Sequence, residues 1–409
     1  MSPVLPFDIV TLIIDIVGEN KDTDLLKELA LVSHSFLQIC SKHLFATVEL
    51  HDDAVPRQYL AASNKKFVKL LKSRPGVVKY IRKLSYRMGQ SSKLPPNHPS
   101  FDDDDHMLSP ILPNFLRTIP HLSCLTIAAA GDWKTLDSSL SSALLYLMHL
   151  PTINHIELSF IRNFPLSSLT SSVNLHRLDI SHLFDPHHNH GGEDSSFEII
   201  QSEMKLREFH TSESSLLTTK LLHAKMQDGR PAFNFMDLKR LSMSFTQFED
   251  ERNIRYLLQN AKSLEKLHLS VDFRRSLVGL LSFSARTLKV LDLTLFLYRF
   301  SVPPLAGVYE EMEAMAGHNM LETLSFEVKV DGHETEDFIG SVIQKVDEVL
   351  VNPGWSALKQ VSFKISCLSR ANGAKLEALR SLPDKYFNHL SKLESVAFNY
   401  SVDDFKTSW

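Results

Sequence analysis

Along most of the chain apolar residues recur as apolar-x-x-apolar-x-apolar, the signature of a short strand whose alternate side chains share one buried face. The pattern reads Ile81-Leu84-Tyr86, Leu122-Leu125-Ile127, Ile153-Ile156-Leu158, Leu175-Leu178-Ile180, Leu206-Phe209-Thr211, Leu238-Leu241-Met243, Leu264-Leu267-Leu269, Leu288-Leu291-Leu293, Leu321-Leu324-Phe326, Leu358-Val361-Phe363 and Leu393-Val396-Phe398. From Ile81 to Leu393 the first positions advance 312 residues in ten steps, a mean spacing of about 31. Segments between them carry helical periodicity: Ser138 to His149 with Leu140, Leu144, Leu145 and Leu147, Asn253 to Ala261 with Ile254, Leu257 and Leu258, and Glu336 to Val349 with Phe338, Val342, Ile343, Val346 and Val349. A single strand-helix unit cannot bury its own apolar face, so the alternation predicts an α/β stack, parallel strands on one face and helices on the other. Eleven strands in one format are too many for an ordinary open sheet.

The first fifty residues follow a different pattern. After Leu5-Pro6-Phe7-Asp8 come Ile9, Leu12, Ile13, Ile16 and Val17, an i, i+3, i+4, i+7, i+8 stripe that predicts a helix opened by proline. Val10 and Ile14 add apolar surface beyond that stripe, surface that waits for a partner. A polar break, Gly18 to Thr23, leads to a second helix with Leu25, Leu26, Leu29 and Val32, capped by Asp22, Thr23 or Asp24. Ser33 can cap a third, with Phe36, Cys40 and Leu44 on one face. Residues 66–75 then read as a basic amphipathic helix stopped by Pro75-Gly76.

Strings such as Leu264-Glu265-Lys266-Leu267-His268-Leu269 and Leu288-Lys289-Val290-Leu291-Asp292-Leu293 resemble the leucine-rich repeat superfamily. The chain departs from that family where an Asn or Cys is expected three residues after the last Leu: it has Asp272, Phe296, Leu183, Thr246 and Lys329. The resemblance therefore implies an irregular solenoid without an asparagine ladder. At the other end, Leu5-Pro6-x-Asp8-Ile9-Val10-x-x-Ile13-Ile14, Asp24-Leu25-Leu26-x-x-Leu29-x-x-Val32-Ser33-x-x-Phe36, Leu44-Phe45 and Leu50 look like an F-box, with Asp8 for the usual Glu and Phe36 and Phe45 where Trp is common. F-box, basic helix and degenerate repeats together resemble the large fungal F-box families. The implied domains are an F-box-like helical domain at 1–50, a helical linker at 51–77, and a leucine-rich-repeat-like solenoid at 78–409 with a disordered insertion at 89–106.

That resemblance implies a substrate-recognition subunit of a Skp1-cullin-F-box ubiquitin ligase. The helices would hold a Skp1-like linker protein, and through it a cullin, by Leu5, Pro6, Ile9, Ile13, Leu26, Val32, Ser33 and Phe36. Read from the residues alone, Ile9, Ile13, Leu26 and Val32 serve equally well as the bundle's own core. The repeats would hold an unidentified protein substrate on the outward strand positions, which include Glu157, Asp179, His210, Arg240, Ser242, Lys266, His268 and Asp292. The alternative is an interaction scaffold whose helices only cap the end of the repeats.

Composition narrows these readings. Forty-four Lys and Arg against 48 Asp and Glu leave a net charge of −4, with no basic field for nucleic acid. No run of eighteen apolar residues provides a membrane helix, and the apolar start lacks the basic n-region of a signal peptide. Cys40, Cys124 and Cys367 are odd in number and far apart, which predicts a reducing compartment, cytoplasmic or nuclear. A monomer within a hetero-complex is expected.

Motif chemistry is sparse. Gly-x-Gly, Gly-Lys-Ser/Thr, His-Glu-x-x-His and Gly-x-Ser-x-Gly are all missing, so the expectation is a non-enzyme without cofactor or metal. Asp185-Pro186-His187-His188-Asn189-His190 reads as a solvated loop rather than a metal site. Asp102 to Asp105 lack the spacing and glycine of a calcium loop.

Overall fold

The structure, a computed structural model, describes residues 6–51, 62–88, 111–184, 203–245, 248–272, 277–297, 307–330, 336–367 and 373–404. Leu5, the 89–106 insertion, Asp185 to His190 and Thr246 lie outside the described residues. The chain divides into two compact units, residues 1–204 with 224–232, and residues 205–223 with 233–409.

The first unit opens with helices α1 (Phe7–Glu19), α2 (Thr23–Ala30) and α3 (His34–Leu44). There follow β1 (Thr47–His51), β2 (Ala62–Ser63), α4 (Asn64–Ser73), β3 (Lys83–Met88), α5 (Ile111–Leu116), β4 (Cys124–Asp132), α6 (Ser138–Met148), β5 (His155–Arg162), β6 (Arg177–Ser181) and the short β7 (Met204–Lys205). Its strands lie in the order β6-β5-β4-β3-β1-β2, every pairing parallel. The second unit holds β8 (Glu208–Ser212), α7 (Ser215–His223), the short β9 (Phe233–Asn234), β10 (Arg240–Phe245), α8 (Phe248–Asn260), β11 (Lys266–Asp272) and β12 (Val290–Leu297). It closes with α9 (Val308–Met315), β13 (Thr323–Val330), α10 (Glu336–Val351), β14 (Gln360–Cys367), α11 (Gly373–Arg380), α12 (Leu382–Tyr386) and β15 (Ala397–Asp404). Here the order is β15-β14-β13-β12-β11-β10-β8, again parallel throughout.

A main-chain device repeats at the steps within each unit, except the last, where Lys359 O accepts Ala397 N alone. The carbonyl of the residue just before a strand accepts two N–H groups from the matching place in the next repeat. In the first unit Ala46 receives Arg82 and Lys83, Arg82 receives Ser123 and Cys124, Ser123 receives Asn154 and His155, and Asn154 receives His176 and Arg177. In the second, Arg207 receives Lys239 and Arg240, Lys239 receives Glu265 and Lys266, Glu265 receives Lys289 and Val290, Lys289 receives Glu322 and Thr323, and Glu322 receives Lys359 and Gln360. Each strand thus starts level with its neighbour, and buried side chains align in rows. One row runs Leu241, Leu267, Leu291, Leu324, Val361, Phe398 and the next Met243, Leu269, Leu293, Phe326, Phe363, Tyr400. Aromatic residues take over toward the C-terminal edge, where the Phe363 ring lies 5.8 Å from Phe326 and 6.2 Å from Tyr400.

Helices cover these rows. Helix α4 packs on β1, α7 on β8, α8 on β10 and α11 on β15. The expected helix at Ser138 is present, but its cap is Asp137, which accepts from Ser139 N at 2.9 Å and Leu140 N at 3.1 Å. Glu249, Asp250 and Glu251 start α8 and suit the positive end of its dipole.

Three sequence expectations change. Thr47–His51, within the segment read as purely helical, pairs in register with β3, so strand pairing begins one repeat earlier than the Leu pattern suggests. Helix α4, expected as part of a linker, buries Phe67, Val68 and Leu71. The last strand is offset by two residues: Phe398 and Tyr400, rather than Val396 and Phe398, lie beside Val361 and Phe363.

The missing asparagine ladder also has a physical account. Phe296 and Lys329 do not turn inward, because β12 and β13 continue through them as register partners, with Lys329 Nζ 5.0 Å from the Phe296 ring centroid. Other buried polar groups tie neighbouring repeats instead. Asn319 Nδ2 donates to Gly354 O at 3.0 Å, Ser172 Oγ to Met148 O at 2.8 Å, and Ser215 Oγ to the Asp250 carboxylate at 2.5 Å.

Asp347 on α10, 1% exposed, accepts from His389 N at 3.0 Å, His389 Nδ1 at 2.9 Å and Leu390 N at 2.8 Å. Replacing it strands two backbone donors, so Asp347→Ala is expected to lose about 2–3 kcal/mol of unfolding free energy, read from urea denaturation. An unchanged midpoint would remove this tie from the account of the last repeat.

Candidate functional site

Two surfaces come from the sequence reading: the N-terminal helices and the outward side of the strands. In the helical bundle Asp22 accepts from Leu25 N at 3.1 Å and caps α2, and Ser33 accepts from Phe36 N at 3.2 Å and caps α3. Asp15 fastens α1 to α3 through Lys42 Nζ and His43 Nε2, each at 2.7 Å, and these hydrogen bonds hold its carboxyl below the usual range. The core is Ile14, Leu26 and Cys40, with Val10, Val17, Leu29, Phe36, Ile39 and Leu44 packed around it.

That core inverts the reading of α1. Val10 and Ile14, expected as surplus surface, face inward, while Ile9, Leu12, Ile13 and Ile16 of the main stripe are exposed together with Phe7. Beyond α2, Leu31 is 87% exposed and Val32 65%. Among the proposed docking residues, Pro6, Ile9, Ile13, Val32 and Ser33 are at the surface. Leu26 is not, because it fills the bundle's centre, and Phe36 packs against that centre. Exposed apolar residues at this density on one small bundle stand apart from the isolated ones that need no explanation.

On the strands, every proposed substrate-facing residue occupies an outward position, and register brings them into rows. His210, Ser242, His268 and Asp292 form one row in the second unit. Many of these charges are already engaged. Arg240 meets Glu208 at 3.2 Å and Lys266 meets Asp292 at 3.2 Å. Burial pushes the His268 imidazole below its ordinary value, against the pull of Asp292. Beside the rows, Glu265 bridges Lys239 and Lys289, and Lys359 meets Glu322 at 2.6 Å, pairs too exposed to add much stability.

In the first unit Glu157 and Asp179 are register partners. His155, which the sequence reading passed over, joins them: its Nε2 lies 3.0 Å from Asp179 Oδ2, and Arg177 Nη2 is 2.8 Å from the same oxygen. Glu157 accepts from Thr126 Oγ1 at 3.0 Å. Burial works against charging His155, yet hydrogen bonds to Asp179 and Cys124 prevail and raise its pKa to about 9. Burial likewise opposes ionisation of Asp179, and His155 and Arg177 outweigh it, keeping the carboxylate below its normal range. Donor atoms of His155, Glu157 and Asp179 lie within 4.8 Å of one another, close enough for a metal ion. The Arg177 guanidinium and the His155 charge fill the place of a cation, so the group is an ion-pair network.

Among the described residues no helix is long and apolar enough to cross a membrane. No family model matches the sequence, and no curated protein matches it.

The charged network carries a pH signature. His155 has a folded pKa near 9 against 6.5 for an unperturbed imidazole, so its contribution to stability is complete below pH 6.5 and disappears as pH rises through 9. Unfolding free energy is expected to fall across that window in the parent chain and to flatten in Asp179→Asn. An equal fall in both would show that the Asp179 contact does not hold the His155 proton.

Proposed function

We propose that this chain is a non-catalytic substrate receptor of a cullin-type ubiquitin ligase, an F-box protein with degenerate leucine-rich repeats. Its N-terminal helices bind a Skp1-like linker protein, and the outward face of the strands binds the target.

The observation that carries the reading is the division of labour on α1. One side, Val10, Ile14 and Val17, completes the bundle's own core, and the other, Phe7, Ile9, Leu12, Ile13 and Ile16, is left in water. Fully burying one large apolar side chain is worth about 1.5–3 kcal/mol, so five of them are an interface in waiting rather than a tolerated surface. Leu31 and Val32, at the turn before α3, supply further apolar contact. Pro6 precedes α1 with an extended backbone, φ −56° and ψ 140°, and is itself exposed to a partner.

The scaffold alternative gains one observation: α3 touches the turn at residues 75–80 that leads into β3, so the bundle also closes that end of the first unit. Capping uses α3 and leaves the α1 stripe open, so the two roles fall on different faces. A truncation meant to separate them must stop before Thr47, because β1 belongs to the sheet.

Ile13→Asp and Leu12→Asp change exposed positions and are expected to leave the melting temperature unchanged. Each should weaken binding to a recombinant Skp1-like linker about thirtyfold or more in calorimetry, the loss of about 2 kcal/mol that marks an anchor. Unchanged affinity in both would refute the docking assignment.

A further inference from the structure

Three strands of the first unit carry a hydrogen-bonded relay that shares Asp179 with the outward strand surface and extends beyond it to Cys124 and His155. Cys124 opens β4, His155 opens β5 and Arg177 opens β6, and parallel pairing sets Cys124 beside His155 and His155 beside Arg177. All three point away from the core, because Leu125, Ile156 and Leu178, the next residue on each strand, are buried. Cys124 Sγ is 3.2 Å from His155 Nδ1, and His155 Nε2 is 3.0 Å from Asp179 Oδ2. Arg177 Nε and Nη2 then hold Asp179 Oδ2 at 3.0 and 2.8 Å.

The direction of these hydrogen bonds follows from charge. With a pKa of about 9, His155 carries protons on both ring nitrogens at neutral pH. Nε2–H donates to the Asp179 carboxylate, so Nδ1–H donates to the sulfur of Cys124. A sulfur accepting from an imidazolium that a carboxylate orients is the arrangement of nucleophile, proton carrier and orienting group that cysteine chemistry uses. The charged groups along this row are His155 and Lys83, the register partners of Cys124 on β5 and β3, and Arg177 one strand further on, with the Asp179 and Glu157 carboxylates beside His155. Cys124 is only partly buried, whereas Cys40 and Cys367 are completely enclosed.

We propose that Cys124 is a nucleophilic thiol that hydroperoxides oxidise to a sulfenic acid, with His155 as the proton donor and Asp179 and Arg177 as positioning residues. The sulfur attacks one peroxide oxygen and gives its thiol proton to solvent. An S–O bond forms as the O–O bond breaks, the sulfur gives up two electrons, and the peroxide is reduced. The departing oxygen takes the Nδ1 proton of His155 and leaves as water, or as an alcohol from an organic hydroperoxide, and the neutral imidazole regains its proton from solvent. The product adds a polar group beside Glu157 and Asp179 on the outward strand face. This inference is independent of the ubiquitin-ligase reading.

The test uses the full chain, hydrogen peroxide, dimedone to trap sulfenic acid, and peptide mass spectrometry to map the adduct. Adduct is expected at Cys124, with Cys40 and Cys367 serving as enclosed internal controls. Alkylation of Cys124 by iodoacetamide at neutral pH should be about tenfold faster than that of free cysteine, and His155→Gln should abolish the advantage. Oxidation of the parent chain should slow as pH rises through 9, where His155 loses its proton, a limb that His155→Gln lacks. Asp179→Asn should shift that limb to lower pH, and Asp179→Glu should restore it. The proposal fails if no adduct forms at Cys124 under conditions that oxidise free cysteine. It fails equally if the three cysteines react alike in the folded chain, or if His155→Gln leaves both rates unchanged.

Discussion

The strands of both units depend on one main-chain constraint: at every step within a unit but the last, a carbonyl before a strand accepts two N–H groups from the next repeat. A parallel strand has no hairpin to set its register, and a slip of one residue would turn every buried Leu into solvent. The paired acceptance at Arg82, Ser123 and Asn154 in the first unit, and at Arg207, Lys239, Glu265, Lys289 and Glu322 in the second, fixes the starting line of each strand. Once that line is fixed, inner side chains align into rows, helices cover them, and outward side chains meet laterally. The rows of outward polar residues are therefore consequences of packing.

Regularity of the strands coexists with irregular connections because the ties between repeats are chemically unlike one another. Asn319, Asp347, Ser172 and the Ser215–Asp250 pair each satisfy buried polar groups at a different step. A repeated asparagine would demand equal spacing, whereas these local solutions tolerate steps of 22 to 41 residues between the leading Leu positions. The same tolerance lets Cys124, His155 and Asp179, far apart in sequence, become neighbours on adjacent strands.

Periodicity was a good guide to elements and a poor one to faces. Leu-x-x-Leu-x-Leu located β3 through β6 and the long strands from β8 to β14, and the stripes around Leu144, Leu257 and Val346 marked α6, α8 and α10. β1 escapes because Phe45-Val48-Leu50, which has the same spacing, falls within the stretch assigned to the N-terminal helices, and the last strand is placed two residues early because Val396 and Phe398 fit the alternation as well as Phe398 and Tyr400 do. On α1 apolar residues occupy nearly two adjacent faces, so counting cannot tell the core side from the free side. Only the positions of Leu26 and Cys40 decide that Ile14 goes in and Ile13 stays out. The row of Cys124, His155 and Arg177 follows from aligning the three patterns, each residue standing just before the second apolar position, whereas the side-chain contact from His155 to Asp179 does not.

The central claim, that the free face of α1 is a docking surface for a Skp1-like linker, is tested most directly by hydrogen exchange of the unaltered chain with and without that partner. The account predicts added protection confined to residues 7–17 and 31–36, while the strands of both units exchange as before. Binding with protection on the strand faces and none on α1, or no binding by a folded chain, would contradict it.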